Sequence, residues 1–301
     1  LVRYLRQNQP LFILSGMPHA NIVNILAGWL SGYRGRSLVS EHNILSEVLR
    51  RKGLKERLTI RLSGFFYRFA DGITAVSSLI AEELAVYHRL NPARIRVIYN
   101  PVDLPAIRLA GANPPDHPWL RQKTLPVILN VGRLALQKDQ ATLLRAFALL
   151  RQRLPARLLI LGEGPERPRL EALAGELGLT EFVDLPGFRQ DVYAYLTHCD
   201  LFTLSSINEG LPVSLIEALA CGAPVVSTDC KSGPAETLEN GRYGRLVPVS
   251  DPPALAGAME AALREGGRNL AGLQRAQDFA LEKITRQYLA AAGLEGDEVG
   301  I

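Results

Sequence analysis

The second half of the chain alternates short apolar runs with segments of helical periodicity. Val127–Val131 is an apolar run rich in β-branched residues, and a helical pattern that starts at Asp139 places Leu143, Phe147 and Leu150 on one stripe. Later strand-like runs cover residues 157–161, 182–185, 201–205 and 225–228, and later helical segments cover residues 169–177, 192–196 and 213–220. Strands this apolar are covered on both faces, which predicts an α/β fold with a parallel sheet between two layers of helices.

The first half carries a less complete version of this pattern. Its strand-like runs cover residues 11–14, 38–40, 72–76 and 95–98, and its helical segments cover residues 20–30, 56–69 and 78–87. Residues 105–126 contain five prolines and no sustained period, which predicts an interdomain linker. The 301 residues leave room for two domains. We expect them at residues 1–105 and 106–280, followed by a C-terminal helix and tail at 281–301.

Charge is distributed unevenly along the chain. Residues 1–110 contain 15 Lys and Arg against 7 Asp and Glu, whereas the remainder contains 19 against 23. A basic first half suits nucleic acid, anionic lipid or an anionic substrate, and charge alone does not choose among them. Three cysteines without metal-ligand spacing suit a reducing cytoplasm, and no apolar run approaches the roughly 20 residues of a membrane span. The chain begins at Leu1, not Met, so we expect it to lack its natural amino terminus.

Two glutamates flank a glycine turn in the segment 205–226. Glu209 and Gly210 follow a predicted strand, Pro212 suits helix entry, and Glu217 lies within an otherwise apolar helix. The carboxyl ends of strands in open α/β sheets bind ligands, and the amides of a helix start attract phosphate. Either glutamate alone is read more simply as a solvated charge, but the pair favours a sugar or nucleotide site because a carboxylate in an apolar helix requires hydrogen-bond donors.

A second segment, residues 130–139, places two cations between a strand and a helix. Arg133 ends the strand and Lys138 precedes the helix, so both can converge on one point above the sheet. Fixed cations there would stabilise a departing diphosphate without a metal ion. Surface charge is the alternative interpretation of these two residues.

Together these segments resemble family 4 of the glycosyltransferases. The resemblance rests on two glutamates with seven residues between them, Glu209 and Glu217, and on the Pro-Val-Val ending at residues 224–226. It implies two Rossmann-like domains of the GT-B type with the reaction between them, retention of anomeric configuration, and no metal or other cofactor. It also implies a nucleotide-sugar donor, UDP-linked in our prediction.

By this resemblance Glu217 holds the ribose hydroxyls and Glu209 contacts the donor sugar near its anomeric carbon. The other expected site residues are the catalytic Arg133, Lys138 and His42, and the nucleotide-sugar-binding Gly132, Gly162, Gly164, Phe188, Arg189, Gly210 and Leu211. The turn at Gly162 and Gly164 could equally be a tight strand-to-helix connection, because the third glycine of a dinucleotide fingerprint is replaced by Arg167. A single histidine such as His42 is also more often structural than catalytic.

Residues 50–69 alternate cations with a helically spaced apolar set. The cations are Arg50, Arg51, Lys52, Lys55, Arg57, Arg61 and Arg68, and the apolar residues are Leu54, Leu58, Leu62, Phe65, Phe66 and Phe69. One interpretation is peripheral contact with an anionic membrane, and the other is an ordinary amphipathic helix packed on its own sheet. We expect a cytoplasmic protein, peripheral on the inner face of the cell membrane, whose partners include no nucleic acid.

The predicted function is transfer of a hexosyl or N-acetylhexosaminyl group from a nucleotide sugar to a lipid-linked or polysaccharide acceptor. The segment 228–236 resembles a variant found in bacterial enzymes that build surface polysaccharides and lipid-linked glycans. No glycine-rich loop precedes Leu11, so an inactive truncated relative or an assembly partner is one alternative. A nucleotide-sugar epimerase is the other, and the two-glutamate pattern speaks against it.

Overall fold

Ten strands form two separate parallel sheets in the computed structural model, which describes residues 1–51 and 53–294 of the chain. The chain divides into two compact units. One comprises Leu1–Pro101 together with the segment that begins at Glu282, and the other comprises Val102–Leu281. The α/β fold with parallel sheets and helices predicted from the sequence is confirmed.

The sheet of the first unit contains four strands in the order β1-β2-β3-β4. The strands are β1 (Phe12–Gly16), β2 (Arg36–Glu41), β3 (Gly72–Ala75) and β4 (Ile95–Val97). Helix α1 (Val2–Asn8) precedes β1, and the helices between the strands are α2 (Pro18–Ser31), α3 (Leu45–Arg51), α4 (Leu54–Phe66) and α5 (Ser78–His88), with 3-10 turns at Tyr67–Phe69 and Pro92–Arg94. The predicted helix at 56–69 therefore ends in a 3-10 turn.

Two short helices open the second unit, α6 (Leu104–Ala110) and α7 (Pro118–Arg121). The stretch at 105–126 that we predicted to be an interdomain linker contains most of α6 and all of α7. Both begin with a proline in the first turn, where the missing N–H costs no hydrogen bond. Asp103 caps α6 by accepting a hydrogen bond from the Ala106 amide at 2.9 Å, and Leu104 is buried. Prolines therefore begin two short helices within the predicted linker.

The sheet of the second unit contains six parallel strands in the order β10-β9-β8-β5-β6-β7. The strands are β5 (Val127–Val131), β6 (Arg157–Leu161), β7 (Val183–Gly187), β8 (Leu201–Leu204), β9 (Val225–Thr228) and β10 (Arg245–Val247). The other helices of this unit are α8 (Gln140–Arg151), α9 (Arg167–Glu176), α10 (Val192–His198), α11 (Val213–Ala220), α12 (Pro234–Thr237), α13 (Pro252–Glu265) and α14 (Leu270–Ala276). The last helix, α15 (Leu281–Ala291), belongs to the first unit from its second residue onward.

Alternate side chains of the second sheet enter two apolar layers. Ile128 and Leu158 belong to one buried cluster with Leu143 of α8 and Met259 of α13. Residues of opposite parity, such as Leu129, are equally buried outside that cluster. Successive side chains of a strand point to opposite faces, so helices cover both faces of this sheet and polar groups are left to its edges.

Candidate functional site

The strand order of the second sheet reverses between β5 and β8. The chain proceeds from β5 to β6 and β7 on one side, and then crosses to β8 on the other side. Ligands of doubly wound sheets bind beside such a reversal, at the carboxyl ends of the strands. The loops after β5 and β8 contain Arg133, Lys138 and Glu209.

These two loops are held together by hydrogen bonds that involve the backbone. The Ile207 amide donates to the Gln137 carbonyl at 2.9 Å, and the Ser205 hydroxyl donates to the Lys138 carbonyl at 2.8 Å. At the same edge, the Asn130 amide donates to the Thr203 carbonyl at 2.8 Å. The position of the Lys138 backbone is therefore fixed by the neighbouring loop as well as by its own.

Lys138 and Glu209 form an ion pair at this edge. The Lys138 Nζ lies 2.5 Å from the Glu209 Oε1, and the Ser206 hydroxyl donates to the same oxygen at 2.6 Å. The side chains are 18% and 8% exposed, so solvent screens this pair less than a surface pair. An anionic group of a ligand could replace Glu209 as the partner of Lys138. Glu209 would then be free to accept hydrogen bonds from the same ligand.

Arg133 lies beside this pair without joining it. Its backbone carbonyl accepts a hydrogen bond from the Gln140 side chain at 3.1 Å, whereas its side chain is exposed and makes no hydrogen bond or ion pair within the described residues. Gly132 precedes it, and the Lys138 stem passes close to the position of a Cβ there, at 3.5 Å. We expect Arg133, Lys138, Glu209 and Glu217 to meet around one ligand, and of these four the structure brings Lys138 and Glu209 into contact.

Glu217 lies one turn into α11, which begins after the β8 loop. Its Oε1 accepts a hydrogen bond from the Tyr193 hydroxyl at 3.1 Å. Burial raises the pKa of Glu217 above its usual value, although this hydrogen bond lowers it. Burial, together with the charge of Glu217, raises the pKa of Tyr193 to about 12. Tyr193 was not among the predicted site residues, because nothing in the local sequence pattern at the start of α10 distinguishes it from a core aromatic residue.

The Gly162 and Gly164 turn packs directly against the loop after β5. A Cβ on Gly162 would lie 2.0 Å from the Gly132 carbonyl oxygen, and one on Gly164 would lie 2.1 Å from the Leu134 carbonyl oxygen. Gly162 also has a φ of +138°. These contacts account for both glycines by backbone packing, the alternative weighed from the sequence. Their amides' role in nucleotide binding stays a prediction.

A third loop, after β9, closes the turn that contains Gly210 and Leu211. The Ser232 hydroxyl donates to the Gly210 carbonyl at 2.9 Å, and the Thr228 hydroxyl donates to the Ser206 carbonyl at 2.6 Å. Leu211 is buried. The turn between the two glutamates is thus held by side-chain hydroxyls from the next strand and loop.

Phe188 and Arg189 follow β7 at the same edge of the sheet. Phe188 is 72% exposed, which is unusual for an aromatic side chain of this size, and Arg189 is exposed as well. Gly187, with a φ of +86°, turns the chain immediately before them. Both side chains are accessible to a ligand.

His42 belongs to the first unit and follows β2. Its ring is half-buried beside Gly16, where a Cβ would lie 3.2 Å from the His42 Nε2, and burial lowers the pKa of His42. The preceding residue, Glu41, is buried and accepts hydrogen bonds from the Tyr67 hydroxyl and from the Asn21 amide, the latter at 3.4 Å. The expected role of His42 near a donor sugar stays a prediction.

The described part of the chain contains neither a metal-binding cluster nor a membrane-spanning helix. Residues 1–51 and 53–294 contain no group of three or more His, Cys, Asp or Glu side chains that could hold a metal ion. In the same residues, no helix has the length and apolarity needed to span a bilayer.

Both halves of the chain match known protein families. Residues 116–278 match the family described as "Glycosyl transferases group 1", and residues 1–105 match "Glycosyltransferase Family 4". The two matches leave out residues 106–115, which lie between the halves, and also the residues after 278.

Individual relatives and solved structures agree with these matches. One relative is N-acetylgalactosamine-N,N'-diacetylbacillosaminyl-diphospho-undecaprenol 4-alpha-N-acetylgalactosaminyltransferase of Campylobacter jejuni. The chain is 34% identical to it over 263 aligned residues, and the alignment covers 86% of this chain and 70% of that relative. It is 34% identical over 170 residues to a lipopolysaccharide core biosynthesis glycosyltransferase of Rhizobium meliloti, covering 54% and 48% of the two chains. The structure of Anabaena HepE in complex with UDP superimposes with a TM-score of 0.80 at 22% identity, covering 97% of this chain and 80% of that one.

Proposed function

The chain belongs to the group 1 and family 4 glycosyltransferases, and from that membership we propose that it transfers a sugar from a UDP-sugar to a lipid-linked or polysaccharide acceptor with retention of configuration. The observation that carries this proposal is the enclosed Lys138–Glu209 pair at the strand-order reversal of the second sheet. A cation and a carboxylate 2.5 Å apart provide partners for the two ends of the bond that breaks, one for the diphosphate and one for the sugar.

In the proposed complex, Lys138 exchanges Glu209 for an oxygen of the leaving diphosphate. The exposed guanidinium of Arg133 is available to the same group, and Glu209 is released to accept hydrogen bonds from the sugar. Negative charge grows on the diphosphate as the bond breaks, so fixed cations stabilise the transition state more than the bound donor.

The reaction exchanges one carbon–oxygen bond for another on the same face of the sugar. The bond between the anomeric carbon and the diphosphate oxygen breaks, and the acceptor oxygen bonds to the anomeric carbon. The acceptor hydroxyl proton passes to the departing phosphate, and UDP leaves. This route differs from that of retaining glycosidases, which use two close carboxyl groups.

The nucleotide end of the donor lies, in this proposal, along the same carboxyl edge. Glu217, oriented by Tyr193, accepts hydrogen bonds from the ribose hydroxyls. Exposed Phe188 and Arg189 bracket the base. The backbone contacts to sugar and phosphates come from Gly132, Gly162, Gly164, Gly210 and Leu211. HepE, with the same fold, has been solved with UDP and with UDP-glucose, which supports the choice of a UDP-sugar.

The acceptor class rests on the relatives and on the charge of the first unit. The Campylobacter relative is named for a diphospho-undecaprenol substrate, and the Rhizobium relative for lipopolysaccharide core biosynthesis. The basic first half suits an acceptor that carries a diphosphate. We propose that the first unit binds this acceptor, with His42 near the donor sugar, and that the protein acts at the cytoplasmic face of the cell membrane.

A panel of UDP-sugars and GDP-sugars, each incubated with and without a polyprenyl diphosphate-linked acceptor, tests this function. We expect acceptor-dependent release of UDP and a product that retains the anomeric configuration, with turnover unchanged by a chelator. UDP binding without transfer to any acceptor would support an inactive relative instead. Conversion of one UDP-sugar into another without acceptor would support an epimerase.

A further inference from the structure

The apolar stripe of α4 faces solvent. Leu54 is 84% exposed, Leu58 55%, Leu62 46%, Phe65 55% and Phe69, in the following 3-10 turn, 50%. Their spacing places all five on one side of the helix. The interpretation of this stripe as the face packed on its own sheet is therefore wrong. Lys52 and the side chain of Arg51, also part of the basic set at 50–69, lie outside the described residues.

Polar and close-packed contacts hold the opposite side of α4. A Cβ on Gly64 would lie 2.3 Å from the His88 Nδ1, so this side of the helix presses against α5. Tyr67 is fully buried, donates a hydrogen bond to Glu41, and accepts one from the Asn21 amide at 2.8 Å. Rotation of α4 to bury its leucines would break these contacts, so the apolar stripe is fixed in its exposed orientation.

Helix α2 extends the exposed apolar area with Trp29 and Leu30, which are 51% and 65% exposed. The Trp29 ring centroid lies 5.0 Å from that of Phe69, and the Phe65 and Phe69 centroids lie 5.3 Å apart. We name this area the α2–α4 surface, and it consists of Trp29, Leu30, Leu54, Leu58, Leu62, Phe65 and Phe69. Contiguous exposed apolar side chains of this size mark an interaction surface.

Charge identifies the partner of the α2–α4 surface. Residues 1–70 contain eleven Lys and Arg against three Asp and Glu, a net charge of +8, and the first acidic residue, Glu41, is buried. Arg61 and Arg68 are exposed and each follows a stripe residue by three positions, so they lie at the margin of the apolar area. A second copy of the chain would bring two such basic faces together, whereas an anionic bilayer complements them.

We propose that the α2–α4 surface binds an anionic lipid bilayer. Trp29, Phe65 and Phe69 enter the interfacial layer, where aromatic rings are favoured, and Arg61 and Arg68 contact lipid phosphates. The proposal gives the predicted membrane contact a defined surface, adds α2 to it, and requires no nucleotide. It deepens the proposed function by stating how the enzyme meets a lipid-linked acceptor.

Co-sedimentation with vesicles tests the proposal. The wild-type protein is expected to bind phosphatidylcholine–phosphatidylglycerol vesicles, to bind pure phosphatidylcholine vesicles far more weakly, and to be released by salt. The combined variant Trp29→Ser, Phe65→Ser and Phe69→Ser should bind about a hundredfold more weakly, because three half-exposed rings no longer leave water. Arg61→Gln with Arg68→Gln should weaken binding by about 25-fold, roughly fivefold for each charge.

Matched controls come from exposed apolar residues elsewhere in the chain. Val86 and Leu109 are 80% and 82% exposed outside the α2–α4 surface, so Val86→Ser and Leu109→Ser should leave vesicle binding unchanged. The chain contains two tryptophans, Trp29 and Trp119, and Trp119→Phe leaves Trp29 as the sole reporter. Its fluorescence emission should shift to shorter wavelength on anionic vesicles and should be quenched by brominated lipid.

Several results would overturn the proposal. These are an absence of vesicle binding, equal binding to neutral and anionic vesicles, unchanged binding of the aromatic variant, or a stable dimer that shields Trp29 from quencher in solution. UDP affinity measured on the same variants separates this proposal from the proposed function. Loss of vesicle binding with normal UDP affinity supports the α2–α4 surface, whereas vesicle binding by a protein without UDP affinity refutes the proposed function alone.

Discussion

Each sheet carries a buried glutamate at its carboxyl edge, Glu41 in the first and Glu209 in the second, but their neighbours differ. Glu209 is 8% exposed and contacts the ammonium group of Lys138. Glu41 is 1% exposed, and its described partners are the neutral hydroxyl of Tyr67 and the amide of Asn21. Burial raises the pKa of Glu41 to about 7, and its Oε2 has no hydrogen-bond partner within the described residues.

The same residue type at equivalent edges of two α/β sheets therefore has two different roles. Glu209 and its cation form a pair that a charged ligand can enter by exchange. Glu41 has no cation to exchange, and it holds together β2, α2 and the end of α4 through Asn21 and Tyr67. We therefore expect changes at the Glu209 pair to affect catalysis, and changes at Glu41 to affect the stability of the fold and the pH dependence of that stability.

Replacement of Lys138 by Ala gives the largest expected effect. Loss of the cation that we propose contacts the leaving diphosphate should reduce kcat by about a hundredfold to a thousandfold, the usual result of removing one preorganised group that stabilises developing charge. Steady-state transfer assays measure the change. Because Lys138→Ala also leaves Glu209 buried without its partner, Arg133→Ala serves as a second variant, since the exposed Arg133 side chain has no described partner to orphan.

The matched control for this prediction is an ion pair that lies at the opposite edge of the same sheet. Lys123 Nζ lies 2.8 Å from Asp200 Oδ1, immediately before β8, with both side chains more than a third exposed. Lys123→Ala should leave kcat unchanged and alter stability by less than about 1 kcal/mol. Equal losses of activity in the Lys123 and Lys138 variants would contradict the site.

Glycine-to-alanine substitutions test how tightly the backbone is packed at the carboxyl edges of the two sheets. Gly162→Ala places a Cβ 2.0 Å from a backbone oxygen at a φ of +138°, so it should lower the free energy of unfolding by about 3 kcal/mol. Gly16→Ala, at the end of β1, meets the His42 ring at 3.2 Å, and a side chain can move aside. Chemical denaturation should therefore show a smaller loss for Gly16→Ala, and the reverse order would contradict this account.

Glu41→Gln tests the first sheet. The native pKa near 7 lies above the ordinary value of 4.5, so the folded protein holds a proton that the unfolded chain releases, and Glu41 lowers stability as pH rises between these values. Relative to wild type, Glu41→Gln should gain up to about 3 kcal/mol between pH 5 and pH 8. Denaturant unfolding at both pH values measures this gain, and a constant difference would refute it.

His88 also contributes to the pH dependence of stability measured in this experiment. Burial lowers its pKa to about 4, so the unfolded chain takes up a proton before the folded protein does, and His88 reduces stability as pH falls below about 6.5. This trend is present in wild type and variant alike, so it cancels in the difference between their unfolding free energies.

The control for this prediction is the nucleotide affinity. UDP affinity of Glu41→Gln should equal that of wild type.

Tyr193→Phe gives the smallest expected effect. Loss of the hydrogen bond to Glu217 should weaken UDP binding by about fivefold to tenfold, the equivalent of roughly 1 kcal/mol, with kcat unchanged at saturating donor. Since this bond lowers the pKa of Glu217, the variant should also lose UDP affinity at a higher pH than wild type as the solution is acidified. Calorimetric titration across pH measures both changes.

Tyr243→Phe provides the comparison for this last variant. Its hydroxyl makes no hydrogen bond within the described residues, and its ring packs beside Arg242. UDP affinity should be unchanged. If Glu217→Gln binds UDP as wild type does, the assignment of Glu217 to the ribose is wrong, whatever Tyr193→Phe shows.

Periodicity predicted the second sheet well because its strands are apolar on both faces. The predicted ranges for β5, β6, α11 and β9 equal those observed, whereas prolines at 105–126 concealed α6 and α7. Strand β10, with one buried residue among three, was missed for lack of a pattern. Local apolar content therefore predicted nine of the ten strands of the described residues, three of them at sheet edges, and missed the weakly apolar β10 and the short proline-containing helices α6 and α7.

The alternation of strands and helices, the two-glutamate segment and the excess of cations in residues 1–70 are all evident from the amino-acid order alone. The contact of Lys138 with Glu209 across 71 positions, the hydrogen bond from Tyr193 to Glu217 and the outward orientation of the apolar stripe of α4 appear only in the folded chain. Periodicity indicates only which residues share a face of one element. Which face is buried, and which charges become neighbours, depends on strand order and on contacts between residues far apart in the chain.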